Sequence, residues 1–185
     1  MGHINQLIYL KNVEHEFKGP VLEVGSKDYG NTQDFRSLFN CEYTGLDLEP
    51  GKNVDVVHDL TQGPGDLGKF NFIICCSILE HVKNPWKVAQ TLTDLLEPGG
   101  KIYVSTPWIQ RYHKYPDDYW RFTFPGLKLL FDLELTRPHL STFTQGEFID
   151  LEKNPDGDNA LAVIHENRKY LPCYELHTIG IKHGS

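Results

Sequence analysis

Residues 70–105 read FNFIICCSILEHVKNPWKVAQTLTDLLEPGGKIYVS. The opening run, Phe70 to Cys76, is nearly continuous in apolar character, as strands buried on both faces of a parallel sheet tend to be. Asn84 is a good N-cap, and Pro85 suits the first helical position, where its missing N–H costs nothing. Val88, Leu92, Leu95 and Leu96 then fall on one face of a helix. Glu97-Pro98-Gly99-Gly100 stops that helix, and Lys101 to Ser105 reads as the next strand. A strand, a helix and a strand in this order imply a right-handed crossover between parallel neighbours.

The alternation continues on both sides. Asn5 to Phe17, with Leu7, Ile8, Val13 and Phe17, reads as an amphipathic helix ended by Gly19-Pro20. Val21–Val24 is the first strand, Thr32 to Phe39 a short helix, and Tyr43–Leu48 and Val54–Val57 two further strands. Thr123 caps a helix over Pro125–Phe131. Asn154-Pro155-Asp156-Gly157 is a turn signal between Phe148–Leu151 and Ala160–Ile164. Tyr174–Ile181 reads as the last strand. The pattern predicts an α/β fold: a doubly wound, mostly parallel seven-stranded sheet, with the first and fourth strands adjacent and the last strand antiparallel. The length of 185 residues, at roughly 150 residues per domain, predicts one domain over 1–185.

Composition narrows the partners. Lys and Arg total 18 against 25 Asp and Glu, so the formal charge is −7, which disfavours a phosphate-neutralising nucleic-acid face. No apolar run approaches the roughly 18 residues of a membrane span, and the N-terminal stretch lacks a secretory pattern. The four cysteines, Cys41, Cys75, Cys76 and Cys173, show no zinc spacing. Reduced thiols in a cytoplasmic protein are the expectation.

Ligands of doubly wound sheets bind beyond the carboxyl ends of the strands, where strand order reverses. The first strand runs into Gly25-Ser26-Lys27-Asp28-Tyr29-Gly30. A glycine at 25 lets the backbone turn sharply and lie close to a ligand, whose anionic groups the following amides can meet. The second strand ends at Asp47, where a carboxylate can accept hydrogen bonds from both hydroxyls of a ribose.

In that order of features the chain resembles the class I S-adenosylmethionine-dependent methyltransferases, in the broad small-molecule group called type 11. The matching stretches are VLEVGSKDYG, YTGLDLE, VVHDL, FNFIICCSILEHVKNPW, LLEPGGKIYVSTP and HKYPDDYWRFTFPGL, which span residues 21–131. The resemblance implies that Glu23, Gly25, Ser26 and the loop to Gly30 hold the methionine end and ribose of S-adenosyl-L-methionine. It implies that Asp47 takes the ribose hydroxyls, and that Leu48 and Leu60 cover the adenine, whose amino group Asp59 accepts. Cys76 and Ser77 would stand near the methionine amino group and the sulfonium. The product would be S-adenosyl-L-homocysteine.

The chain departs from the family at several positions. Lys27 and Tyr29 stand where glycines are usual. A Glu-x-x-Glu-His metal motif of one quinone-pathway subset meets Ser77-Ile78-Leu79-Glu80-His81 here, one carboxylate short, so no metal is expected. The Pro-Pro motif of amino-methylating DNA enzymes is absent after the fourth strand, where Cys76-Ser77 stands.

Methyl transfer from a sulfonium is a displacement that needs alignment and somewhere for a proton to go. His81 and His113 are the candidate general bases, with pKa values near the operating pH, and a capping role for His81 is the competing reading. Arg121 can pair with Asp118 to pin the segment or clamp an anionic substrate. Tyr115 and Trp120 are expected as pocket walls beside Asp118 and Arg121, and Trp86 and Trp108 as packing. The acceptor expected is a small molecule, or one presented by a partner, in a pocket left open or completed by a second subunit. Two other classes fit less of the sequence. A non-catalytic module binding the same cofactor would suit the loop at Lys27 and Tyr29, and a nicotinamide-dependent oxidoreductase lacks its G-x-G-x-x-G.

Overall fold

β1 (Val21–Val24) pairs in parallel with β2 (Tyr43–Asp47) on one flank and β4 (Phe70–Cys76) on the other, while β3 (Val56–Val57) extends the β2 side. The chain thus leaves β1 in one direction and returns to its other side, and this reversal opens a crevice at the strand ends. β5 (Leu96–Ile109) continues in parallel beside β4. Beyond it lie β8 (Tyr174–Ile181), β6 (Glu134–Ser141) and β7 (Phe148–Asp150), all antiparallel to their neighbours. The order is β3-β2-β1-β4-β5-β8-β6-β7. The computed structural model describes residues 4–13, 17–110, 112–113, 117–141, 145–153 and 174–184.

Both faces of the sheet are covered, which explains the unbroken apolar run of β4. Leu22, Val24, Ile73, Cys75, Ile102 and Val104 share a core with α2 (Pro85–Leu95) and α3 (Phe124–Leu130). The intervening Val21, Phe72, Ile74 and Tyr103 pack with Tyr9, Leu10 and Val13 of α1 (Ile4–Val13). Asn84 caps α2 by accepting from Lys87 N at 3.3 Å. That cap is worth about 1 kcal/mol, whereas each of the fully buried Leu92 and Leu95 contributes roughly 1.5–3 kcal/mol. Burial therefore holds the helix more than its cap does. No described helix is long and apolar enough to cross a membrane.

The sheet has eight strands among the described residues, one more than the seven expected. β6 was hidden by Arg137-Pro138, which break its alternation. They sit at a register shift against β8, where Arg137 takes φ 53° and the proline's missing N–H is tolerated. Thr32–Phe39 is no helix beyond a 3-10 turn over Arg36–Leu38, because Phe39 is already extended at φ −114°. Glu97–Gly100 does end α2, but the strand begins at once, since Leu96 pairs with Phe70. Ala160–Ile164, the turn at 154–157, Cys173 and Tyr115 lie outside the described residues.

Candidate active site

A cavity of about 820 Å³ opens at the carboxyl ends of β1, β2 and β4. Gly25, Asp47, Leu48, Asp59 and Leu60 line one end of it. Gly25 takes φ +77°, which favours glycine at the turn out of β1, and a Cβ there would also lie 2.3 Å from Ile78 Cδ1, whose side chain would have to shift. Asp47 is steadied by two amides: its Oδ2 accepts from Lys27 N at 3.1 Å and its Oδ1 from Glu49 N at 3.3 Å. Leu48 is 64% exposed, an apolar surface at the mouth, while Leu60 is buried. Asp59 caps the turn over Leu60–Gln62, accepting from Thr61 Oγ1 at 2.7 Å and Thr61 N at 2.9 Å. Those bonds hold its carboxyl below the usual range.

Charge pairs hold the loop after β1 in place of the family's glycines. Lys27 Nζ meets Glu49 at 2.7 Å and lies 5.2 Å from the centre of the Tyr29 ring. Asp28 receives Gly30 N and Thr32 Oγ1 at 2.7 Å each and pairs with Lys52 at 2.6 Å. Tyr29 reaches the cavity wall, but the expected Ser26 and Gly30 are not among the lining residues. Glu23 and Cys76 are not there either. Glu23 accepts from Tyr43 Oη at 2.8 Å, and burial pushes its carboxyl up to about 6. The Cys76 side chain packs into the α1-side core.

The other end of the same cavity is polar, with Ser77, Glu80, His81, Gln110, His113 and Glu175 on its wall. Ser77 follows β4 at φ +54°, a sparsely populated conformation for a side-chain-bearing residue. Gln6 Nε2 donates to Ser77 Oγ at 2.9 Å and to Glu175 Oε1 at 3.2 Å, tying α1 and β8 to this point. Burial raises the carboxyl of Glu80 to about 8 and that of Glu175 to about 7. Burial also lowers the pKa of His81, which favours its neutral form.

The two imidazoles meet edge to face, with centroids 5.0 Å apart. His81 Nδ1 lies 2.5 Å from Asp117 O. Asp118 Oδ2 accepts from His113 N at 2.8 Å and stands 3.2 Å from His113 Nδ1. Arg121 Nη2 donates to the same Asp118 oxygen at 2.8 Å, and the guanidinium holds the Asp118 carboxyl down to about 2. The Asp118–Arg121 pair therefore pins the segment and orients His113. Neither residue lines the cavity, and nor does Trp120, whose Nε1 donates to Val82 O at 2.9 Å behind the wall.

The sequence did not single out Gln110 or Glu175, and it marked Glu80 only as part of an incomplete metal motif. For Glu175 the signal was an acidic residue at the start of an otherwise inward-facing strand. Glu80 lay in plain view beside His81, but its burial depends on the turn.

A family model described as a methyltransferase domain matches residues 5–151. The ubiquinone biosynthesis O-methyltransferase of Pectobacterium atrosepticum is 30% identical over 121 residues, 57% of this chain and 48% of that protein. The chain spans about half the length of the curated relatives it matches. The fold is similar to that of the 1,6-didemethyltoxoflavin-N1-methyltransferase of Burkholderia thailandensis, solved with bound 1,6-didemethyltoxoflavin and S-adenosylhomocysteine. That likeness has a TM-score of 0.65 at 12% identity and covers 98% of this chain and 78% of the other. It is similar also to the N-methyltransferase NodS of Bradyrhizobium japonicum, solved with S-adenosyl-l-homocysteine, at a TM-score of 0.59 and 11% identity over 96% and 85% of the two chains. By the family match, which takes in β1 to β7 and every named cavity residue except Glu175, the chain belongs to the methyltransferase-domain family.

Proposed function

We propose that this chain is an S-adenosylmethionine-dependent methyltransferase acting on an oxygen or nitrogen of a small-molecule acceptor, or of one presented by a partner. The observation that carries the reading is one continuous cavity, with Asp47 at one end and His113 at the other. The residues at the first end fit the cofactor chemically. Asp47 would accept from ribose hydroxyls, Leu48 and Leu60 would cover a flat ring, and the turn at Gly25 brings backbone close. When bound, S-adenosylmethionine supplies an electrophilic methyl on a sulfonium.

The chain's own contribution is alignment and proton transfer. The polar end would seat the acceptor, and His113, backed by Asp118, would take its proton; the new bond to the methyl carbon would replace that carbon's bond to sulfur, with S-adenosylhomocysteine as the leaving group. His81 beside it is the second imidazole in reach. The three free described cysteines, two of them buried, favour a reducing compartment and hence the cytoplasm.

The test is transfer of a labelled methyl group to a panel of hydroxyl and amine acceptors. His113→Ala should lower kcat by about 10²-fold or more while S-adenosylhomocysteine affinity stays within twofold. Undiminished turnover in that variant would remove His113 from the chemistry. Tight cofactor binding without turnover on any acceptor would support a non-catalytic module instead.

A further inference from the structure

Glu80, His81 and His113 each present one ligand atom within 4.8 Å of the other two. The turn after β4 supplies the first two, and the segment after β5 supplies the third. Each imidazole has an acceptor behind it. His81 Nδ1 is against Asp117 O at 2.5 Å, so its Nε2 is the nitrogen turned toward Glu80 Oε1, 3.7 Å away. His113 Nδ1 is against Asp118 Oδ2 at 3.2 Å. An acceptor behind one ring nitrogen is the arrangement that sets the tautomer of metal-binding histidines.

A second observation is independent of this cluster geometry. Glu80 Oε2 is buried without a hydrogen-bond partner among the described residues, in a side chain only 1% exposed that belongs to the cavity wall. A buried, unpaired carboxylate oxygen is costly unless a cation or a proton meets it.

We propose that Glu80, His81 and His113 form a site for one divalent ion of the first transition row, such as Zn²⁺, in preference to Mg²⁺. Two imidazoles and one carboxylate suit such ions, whereas Mg²⁺ takes oxygen ligands. Metal–nitrogen bonds of about 2.0–2.1 Å place ligand atoms roughly 3–3.5 Å apart, so modest side-chain rotations close the set. Three protein ligands leave open positions toward the cavity. The expectation of no metal rested on Ser77 standing where a carboxylate would. Ser77 is not needed, because its hydroxyl is engaged by Gln6 and His113 arrives from another segment. This site rests on the proposed function: a cation there would lower the pKa of a bound acceptor hydroxyl so that its proton passes to water, and His113 would be a ligand where the cation is bound and the base where it is not.

Calorimetric titration of the tag-free, chelator-stripped chain with Zn²⁺, Co²⁺ and Mg²⁺ tests the site, with visible absorption following Co²⁺. Saturable binding of one Zn²⁺ or Co²⁺ per chain is expected, at least 100-fold tighter than Mg²⁺. Glu80→Gln and His113→Ala should each weaken it at least 100-fold, and Ser77→Ala should leave it within about threefold. Circular dichroism establishes that each variant is folded. Absence of saturable binding to the folded wild-type chain overturns the proposal, as does His113→Ala binding as tightly as wild type. His113→Ala loses turnover whether it is a base or a ligand, so metal affinity is the readout that decides. S-adenosylhomocysteine titrated into the metal-free chain separates the two readings: binding there leaves the proposed function standing whatever the metal result.

Discussion

Asp47 spends both carboxylate oxygens on the amides of Lys27 and Glu49 and still lines the cavity, so it shapes the site and, on the proposed reading, would also accept from ribose hydroxyls. Asp47→Ala should weaken S-adenosylhomocysteine binding by about 1–3 kcal/mol, the cost of leaving buried hydroxyl partners unpaired. Calorimetry on the folded variant measures this directly, and an unchanged affinity would remove Asp47 from the cofactor site. Glu23 faces the other side of β1 and carries a different consequence. Its carboxyl titrates at about 6 in the folded chain against 4.5 for an unperturbed group, burial being the main cause. The native state thus keeps a proton that the unfolded chain releases between those values. The stabilising contribution is full below about pH 4.5 and is lost as pH rises through about 6. Glu23→Gln keeps an acceptor for Tyr43 and removes the ionisation. Its melting temperature relative to wild type should climb between pH 4.5 and 7, by no more than about 2 kcal/mol in stability. A difference that stays flat over that range would contradict the burial of this carboxyl.

At the scale of elements, the segment after β5 is hung on the turn after β4. Tyr119 N and Trp120 N donate to Glu80 O at 2.7 and 3.3 Å, and the Trp120 indole reaches Val82 O. Trp120 also meets Trp86 edge to face, with centroids 5.4 Å apart. Trp120→Ala should therefore cost about 3 kcal/mol of stability, seen as a lowered melting temperature, with cofactor affinity little changed in the folded variant. Unaltered melting with lost turnover would instead restore the pocket-wall role that its aromatic character suggested. The parallel strands and α2 were legible in the sequence because local signals agreed with the fold: apolar runs, an Asn-Pro cap and a Pro-Gly-Gly stop. β6 was not, since its place is set by pairing with a strand some forty residues away and its alternation is broken by Arg137-Pro138. Thr32–Phe39 has helical spacing in Phe35, Leu38 and Phe39, but so short a stretch depends on packing that the sequence alone does not show.

Across the whole molecule, one reversal of strand order creates the site, and the antiparallel end then closes one side of it. Gly25, Asp47, His81 and His113 could be named in advance because each stands at or beyond a strand end that is visible in the sequence. Glu175 could not, because its position on the wall depends on the register that sets it opposite Pro107 of β5. The nearness of His113 to Glu80 likewise depends on how the segment returns over the turn. The central claim is that the crevice between β1 and β4 holds an adenosyl cofactor, and titration calorimetry of the unaltered chain tests it most directly. Saturable binding of one S-adenosylhomocysteine per chain, with none of NADH, is the predicted result; no binding of S-adenosylhomocysteine by the folded chain would contradict the account.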